Sequence, residues 1–160
     1  MHQLIESLPI RLIPGGMHRD ARGALQHVNA FSFGRVDRFY SILPANPGEV
    51  RGWVGHRRDW KWFFATKGEF KLGAVRPRDW THPAPDDAVD VFSLREESPC
   101  VLEVPPGHFT AACALELGSA LLVFSSGGIE DSAGDDCRLP PDFWGLPSSP
   151  RTAKNRFVYV

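Results

Sequence analysis

The sequence predicts one soluble domain built almost entirely of antiparallel β-strands that close into a sandwich or barrel. About eight short apolar or alternating runs recur at a spacing of about ten residues, the pattern of all-β sandwiches and barrels. Turn residues separate these runs, and no long segment has a helical apolar period. The 160 residues are enough for one hydrophobic core and too few for two ordinary domains.

Each predicted strand is a short apolar or alternating run bounded by Gly, Pro, Asn or Asp. In chain order the predicted strands are 27–33, 38–43, 60–65, 70–75, 89–94, 101–104, 110–115 and 120–125. The turns between them include 46–48, 67–68, 83–87, 105–107 and 117–119. A single helical turn is expected at 142–146, and the polar, proline-containing tail 145–156 is expected to be loose or folded over the barrel.

Composition excludes several classes of function. A formal net charge of −1 gives no field for recruiting nucleic acid, and no apolar run approaches the roughly 20 residues of a membrane helix. The first sixteen residues lack the charged-then-apolar order of a signal peptide, so a cytoplasmic location is expected. The three cysteines form neither a disulfide framework nor a CxxC site, and we expect them to be reduced and structural.

The most informative stretch runs from Arg51 to Glu69 and reads RGWVGHRRDWKWFFATKGE. It places a glycine turn before a strand, gives that strand polar positions at His56 and Lys61, and ends in a Lys-Gly hairpin signal. The basic residues gathered here either hold a phosphorylated small molecule or form a solvated strand edge. They are Arg51, Arg57, Arg58, Lys61 and Lys67.

This stretch resembles the segment R-G-[FL]-H-x-H-x-x-x-x-[QK] of cupin-fold nucleotide-sugar enzymes. These are the dTDP-4-keto-6-deoxyhexose 3,4-ketoisomerases and, more loosely, the dTDP-4-keto-sugar 3,5-epimerases. The resemblance continues through segments 20–25, 38–42, 104–109 and 120–125, and so covers about residues 20 to 126. It implies an all-β cupin-type double-stranded β-helix, a jelly-roll barrel. Within one domain, 1–160, it implies an N-terminal arm at 1–19, a barrel core at 20–126 and a C-terminal extension at 127–160.

The resemblance also implies a chemistry. A 4-keto group acidifies the neighbouring carbon, so a base removes a proton there while polar groups hold the enolate. In the family, the first histidine of the motif is the residue most closely tied to that transfer, and Val54 stands there in this chain. The usual catalytic assignment therefore cannot be carried over.

Six residues remain as site candidates, and most of them have a blander alternative. His56 and Lys61 are the catalytic candidates; His56 is otherwise an ordinary hydrogen-bonded histidine, and an interior Lys61 is costly without a partner or ligand. The candidates for binding substrate are Arg51, Tyr40, Arg38 and His108. The alternatives are a loop-pinning arginine, a packed tyrosine and a rim histidine without a task. The tryptophans 53, 60, 62 and 80 either form a stacking wall or belong to the core.

No metal and no cofactor are expected. A metal-dependent cupin needs two histidines and a carboxylate from one motif and a histidine from a second, whereas Val54 and Thr110 occupy two of those positions. His56 alone remains. Gly-rich phosphate loops and GxSxG elbows are also missing from the sequence.

Three functions stay open. The leading hypothesis is a metal-free isomerase or epimerase that acts on a nucleotide-linked 4-keto-6-deoxy sugar through an enolate. The second is a catalytically inactive sugar-nucleotide-binding cupin, and the third is another reaction on the same scaffold. The family resemblance implies a homodimer in which an N-terminal segment, here 4–13, reaches the partner's sheet.

Overall fold

The structure, a computed structural model, describes residues 8–146 and the backbone of the strand Asn155–Val158. Nearly all of its regular structure is β. The strands are β1 Arg11–Pro14, β2 Gly16–Asp20, β3 Gly23–His27, β4 Arg38–Ile42, β5 Val50–His56, β6 Lys61–Lys67, β7 Glu69–Val75, β8 Val89–Arg95, β9 Cys100–Val104, β10 His108–Ala114, β11 Ala120–Ser125, β12 Cys137–Arg138 and β13 Asn155–Val158. One short helix, α1 Ile129–Ala133, lies within the described ranges.

Two facing sheets carry the fold. The five-stranded sheet has the order β1-β9-β6-β11-β4, and the six-stranded sheet has the order β12-β5-β10-β7-β8-β13. A separate hairpin joins β2 to β3. All pairings are antiparallel except that of β13 with β8. This arrangement confirms the all-β, cupin-type jelly-roll class predicted from the sequence.

The main core fills the space between the sheets. Side chains alternate along each strand, so one set of residues points inward from both sheets. Phe63 and Val123 from one sheet pack with Leu72 and Phe92 from the other. Burying each such side chain contributes about 1.5–3 kcal/mol before entropic costs.

The outer faces of both sheets are also covered by apolar residues. Trp62 and Phe124 lie on the outside of the five-stranded sheet under Phe31, and Phe109 lies on the outside of the six-stranded sheet against Trp144. Both sheets are thus buried on two faces, which explains why their strands read as nearly continuous apolar runs.

The sandwich is open along one side. Strand β4 is the edge of the five-stranded sheet, and the two-residue strand β12 pairs with only Gly55 and Val54 of β5. Between β4 and β5 the inner faces are therefore accessible, and the link 57–60 crosses there from one sheet to the other. This opening contains the candidate site.

The predicted strand at 27–33 is wrong. Only His27 belongs to a strand, and the chain from 28 to 37 is irregular. Its apolar residues, Val28, Phe31 and Val36, pack onto the outer face of the five-stranded sheet. An alternating pattern arises here because a loop covers a sheet, not because the loop pairs with one.

The interpretation of His56 and Lys61 as positions on one strand is also wrong. His56 is the last residue of β5 in the six-stranded sheet, and Lys61 is the first residue of β6 in the five-stranded sheet. The backbone N–H groups between them donate to a carboxylate, Asp135, instead of a neighbouring strand. The chain is therefore free to change sheets.

The C-terminal region differs from expectation in its helix and agrees with one of the two alternatives for its tail. Residues 142–146 contain no helix; Phe143 donates to the Pro140 carbonyl at 3.0 Å in a simple turn, and the helix lies earlier, at Ile129–Ala133. The tail expected to be loose or folded over the barrel includes the start of β13, which pairs with β8, so this part agrees with the second alternative and forms a strand there. Its middle part, 147–154, lies outside the described residues.

At the other end, β1 pairs with β9 of the same chain, so Arg11–Pro14 lie in the chain's own five-stranded sheet. The first part of the segment proposed to reach a partner, residues 4–7, lies outside the described residues. No helix within the part of the chain that the structure describes is long and apolar enough to cross a membrane.

Candidate functional site

A cavity of about 680 Å³ lies at the open side of the sandwich, between the inner faces of the two sheets. Its lining side chains come from β4, β5, β6 and β10, and from the segment 129–139 that follows the last long strand. Five of the six site residues predicted from the sequence line it: Arg38, Tyr40, Arg51, His56 and Lys61. The structure thus brings together side chains from both sheets.

His56 is a buried imidazole at the end of β5. Its Nδ1 lies 3.5 Å from Asp136 Oδ1 and 3.8 Å from Asp135 Oδ2, and it has no hydrogen-bond partner among the described residues. Burial lowers the pKa of His56, and the Lys61 charge lowers it further, while the neighbouring carboxylates partly oppose both effects. The ring is therefore neutral near pH 7 and available as a base.

Lys61 forms a buried ion pair with Asp59, two residues before it. Its Nζ lies 2.8 Å from Asp59 Oδ2 and donates to Ser125 Oγ at 3.0 Å, and both charged side chains are at most 5% exposed. An ammonium has three donors, so one N–H of Nζ is left for a ligand in the cavity. The cost of burying a lysine is met here by a carboxylate that the sequence analysis missed.

Asp59 is the centre of a polar network behind Lys61, which lines the cavity. Besides Lys61 it accepts hydrogen bonds from Ser125 Oγ at 2.6 Å, Ser126 Oγ at 2.9 Å and the Gly127 backbone N–H at 2.8 Å. Burial alone would raise the pKa of Asp59, but the hydrogen bonds from Lys61 and Ser125 outweigh it and lower the pKa to about 2. Asp59 is a carboxylate at any physiological pH.

Tyr40 lies on β4, on the wall formed by the five-stranded sheet. The Arg38 guanidinium is 5.3 Å and Lys61 Nζ is 5.7 Å from the centre of its ring. Burial raises the pKa of Tyr40, and the charge of Arg38 opposes that only in part. The phenol therefore keeps its proton at neutral pH and can donate a hydrogen bond.

Arg38 is held in place by the segment that follows β11. Its Nε donates to the Gly127 carbonyl at 3.1 Å and its Nη2 donates to Ser132 Oγ at 2.9 Å. Helix α1 is therefore tied to the edge strand β4 and closes one end of the cavity. A fixed guanidinium here supplies a positive charge without occupying the space.

Arg51 is exposed at the other end of the cavity wall, on β5. Its guanidinium has no hydrogen-bond or ion-pair partner among the described residues, although it lines the cavity. By contrast, the nearby Arg138 donates to Asp136 Oδ2 at 3.0 Å. Arg51 is therefore a cation with its donors available for an oxyanion.

The floor of the cavity contains the two positions at which the family has histidines. Val54 and Thr110 are paired directly across β5 and β10, and both line the cavity. Neither side chain can act as a base near neutral pH. Among the described residues, His56 is the one imidazole that lines this cavity.

The structure does not bring His108 to the cavity mouth. Its Cα pairs with that of His56, but its side chain is buried and its Nδ1 lies 2.9 Å from the Pro105 carbonyl. Burial lowers its pKa. His108 therefore fixes the turn before β10 and does not line the cavity.

The tryptophans form no continuous stacking wall. Trp60 and Trp62 stack on each other at 6.1 Å, outside the five-stranded sheet, and Trp80 stacks on Phe109 at 4.7 Å, outside the six-stranded sheet. Of these residues, only Trp53 lines the cavity, and its ring belongs to the outer cluster. The aromatic residues mainly close the two outer faces.

Among residues 8–146, no group of three or more His, Cys, Asp or Glu side chains is placed to hold a metal ion.

Asp135 and Asp136 were missed by the sequence analysis because they lie in the segment assigned to a C-terminal extension. The pair of aspartates after Gly134 was the available signal. Asp59 was missed for another reason: it stands among basic residues, and the stretch was interpreted from their positive charges.

The chain shares its fold with solved epimerases and with a solved sugar 3,4-ketoisomerase. NovW, a 4-keto-6-deoxy sugar epimerase from the novobiocin biosynthetic gene cluster of Streptomyces spheroides, is 18% identical with a TM-score of 0.70, covering 93% of this chain and 78% of its own. QdtA, a sugar 3,4-ketoisomerase from Thermoanaerobacterium thermosaccharolyticum solved with TDP, is 18% identical with a TM-score of 0.63, covering 89% and 94%. The rmlC epimerase of Mycobacterium tuberculosis is 15% identical with a TM-score of 0.68, covering 89% and 75%.

No protein-family model and no curated protein matches the chain. At identities of 15–18%, the structural likeness establishes the fold. It confirms, at that level, the resemblance inferred from the sequence motifs.

Proposed function

We propose that this chain is a metal-free isomerase or epimerase that acts on a nucleotide-linked 4-keto-6-deoxy sugar through an enolate. The observation that carries the proposal is the convergence of His56, Lys61 and Tyr40 on one cavity. A neutral base, a buried cation and a protonated phenol are what proton abstraction next to a carbonyl requires. The solved enzymes with this fold that are named above include a 4-keto-6-deoxy sugar epimerase and a sugar 3,4-ketoisomerase.

His56 takes a proton from the carbon next to the keto group. The electron pair of that C–H bond becomes the new C=C bond, and the negative charge moves to the carbonyl oxygen. Lys61 and Tyr40 stabilise this oxygen through their available donors. Epimerisation requires His56 to release its proton to solvent while solvent delivers a proton to the opposite face of the same carbon. In the ketone shift, the proton of the neighbouring hydroxyl passes to the former carbonyl oxygen, His56 returns its proton to the former carbonyl carbon, and the neighbouring carbon becomes the new ketone.

Arg51 and Arg38 bind the anionic and polar parts of the substrate. A cavity of about 680 Å³ is in the range of pockets that enclose a ligand of a few hundred daltons. Arg51 has no ion-pair partner in the part of the chain that the structure describes, and the two parallel donors of its guanidinium suit a phosphate. Arg38 is fixed by α1 and contributes a second positive charge beside Tyr40.

The proposal is tested by incubating the protein with dTDP-4-keto-6-deoxyglucose and following the sugar signals by NMR. We expect a new keto sugar or epimer to form in the wild type and not in His56→Asn. An unchanged substrate over hours at high enzyme concentration would count against catalysis.

The second candidate is a sugar-nucleotide-binding protein without activity. The pairing of Val54 with Thr110 on the cavity floor favours it, because neither residue can exchange a proton as a histidine does. Calorimetric titration with dTDP separates the candidates when combined with the product assay. Binding that Arg51→Lys weakens, without turnover, supports the binder; lack of binding to any nucleotide sugar contradicts both functions.

We also propose that residues 1–160 form one domain, with an N-terminal arm at 1–19, a barrel core at 20–126 and a C-terminal extension at 127–160. We further propose a cytoplasmic location and a homodimer. Exposed apolar side chains on the outer face of the five-stranded sheet, such as Phe33 and Phe39, support pairing of two copies. Light scattering coupled to size-exclusion chromatography tests it, and a strict monomer at high concentration would contradict it.

A further inference from the structure

We infer that Asp135 is a positioning residue that holds the base and the cation of the site together. The inference deepens the proposed function and rests on it only where turnover is the readout. Its basis is the way one carboxylate binds the short link between the two sheets.

The link comprises the four residues between His56 and Lys61. Asp135 Oδ1 accepts the backbone N–H of Arg57 at 3.0 Å, and Oδ2 accepts those of Arg58 at 3.1 Å and Asp59 at 3.0 Å. Three consecutive amides are thus bound by one side chain that is only 6% exposed. Hydrogen bonds to a charged acceptor are about twice as strong as neutral ones.

The last amide of the link is bound differently. The Trp60 backbone N–H donates to Ser126 Oγ at 2.9 Å, and Ser126 in turn donates to Asp59 at 2.9 Å. All four link amides therefore end on side-chain acceptors from the chain after β11. Without Asp135, three of them would lose their partner.

The geometry of the link sets the relative position of two functional groups. His56 precedes it on the six-stranded sheet, and Lys61 follows it on the five-stranded sheet. The two sheets are not hydrogen-bonded to each other at this opening. The distance between the two side chains therefore depends on the conformation of the four-residue link that joins them. Asp59, which pairs with Lys61, is itself part of the link.

Asp136, the next residue, has a different task. Its Oδ1 faces His56 Nδ1 at 3.5 Å, and its Oδ2 accepts from Arg138. Asp135 faces the same nitrogen only at 3.8 Å and has both oxygens engaged by the link. The two neighbours thus divide the work: Asp136 faces the base, and Asp135 binds the backbone that positions it.

The test uses Asp135→Asn, with Asp131→Asn as matched control. An amide side chain has one acceptor oxygen, so it cannot bind all three N–H groups as the carboxylate does. Asp131 lies on α1, is exposed, and has no hydrogen bond to the link in the structure. We expect hydrogen exchange of the amides 57–59 to accelerate by about tenfold or more in Asp135→Asn only.

A residue that only stabilised the link would change hydrogen exchange and nothing else. The second readout is therefore the electrostatic coupling between His56 and Lys61. In the wild type, Lys61→Met is expected to raise the pKa of His56, measured by NMR titration. In the Asp135→Asn background we expect less than half of that shift, because the two side chains are no longer held together. A full shift in that background overturns the inference.

Turnover gives a third readout. We expect kcat to fall by about tenfold or more in Asp135→Asn with KM nearly unchanged. If the wild type turns over no nucleotide sugar, the proposed function fails while the exchange and coupling measurements still decide on Asp135. Should Asp135→Asn fail to fold, Asp135→Ser is taken through the same two measurements, and full coupling there overturns the inference equally.

Discussion

Lys61 Nζ lies 2.8 Å from Asp59 Oδ2, inside a sandwich where both side chains are at most 5% exposed. The pair joins the link between the sheets to the first residue of β6. The Asp59 carboxylate offsets the free-energy cost of burying the Lys61 ammonium at the edge of the cavity. One of the three N–H groups of Lys61 Nζ is left for a ligand.

Removing one partner of this ion pair should destabilise the protein more than removing both partners. Lys61→Met leaves the Asp59 carboxylate buried without its counter-ion, and we expect the free energy of unfolding to fall by about 3 kcal/mol. The double variant Asp59→Asn with Lys61→Met removes both charges and should recover more than half of that loss. Urea denaturation at pH 7 measures both. Equal stability of the single and double variants would contradict the role given to the charge.

Acid should weaken the fold through Asp59. Its pKa is lowered from 3.8 to about 2, so its contribution is complete above pH 4 and is lost as the pH falls toward 2. The shift corresponds to about 2 kcal/mol of stability. Unfolding free energies of the wild type should decline more steeply between pH 4 and 2 than those of Asp59→Asn. Parallel curves would show that Asp59 is not the group involved.

His56 should titrate below its ordinary pKa of 6.5, because burial and Lys61 both disfavour the imidazolium. Lys61→Met should therefore raise the pKa of His56, because it removes the lysine charge and leaves the Asp59 carboxylate without its counter-ion nearby. NMR titration of the ring protons in the wild type and in Lys61→Met measures it. A pKa of His56 at or above 6.5 in the wild type would contradict the assignment of a neutral base.

Tyr40→Phe removes the phenolic hydroxyl and leaves the aromatic ring in place. Because burial raises the pKa of Tyr40, the hydroxyl is protonated and acts as a donor to the developing oxyanion. We expect kcat to fall by about a hundredfold with little change in KM. The matched control is Phe39→Leu, since Phe39 points to the outer face of the same strand. An unchanged kcat in Tyr40→Phe would assign the residue to packing alone.

The sequence predicted the fold class and most strands because both faces of each sheet are apolar. Regularly spaced apolar runs such as 70–75 and 120–125 correspond closely to β7 and β11. The run 27–33 failed since covering a sheet and pairing within one require the same residues. Periodicity alone does not distinguish these two uses.

The site was predictable only in part. Motif positions gave Arg51, His56 and Lys61, which line one cavity. The partners that make them work, Asp59 and Asp135, were not predicted, because their roles depend on a change of sheet within the link 57–60. A strand continued through that link would have pointed these side chains elsewhere.

The most direct test of the central claim is solvent exchange at carbon. Purified protein is incubated with dTDP-4-keto-6-deoxyglucose in deuterated water, and the sugar is analysed by NMR and mass spectrometry. If His56 is a base beside a stabilised enolate, deuterium enters C3 or C5 in the wild type, and the His56→Asn variant shows no incorporation above the enzyme-free rate. Incorporation that is absent from the wild type, or equally fast in His56→Asn, would contradict it.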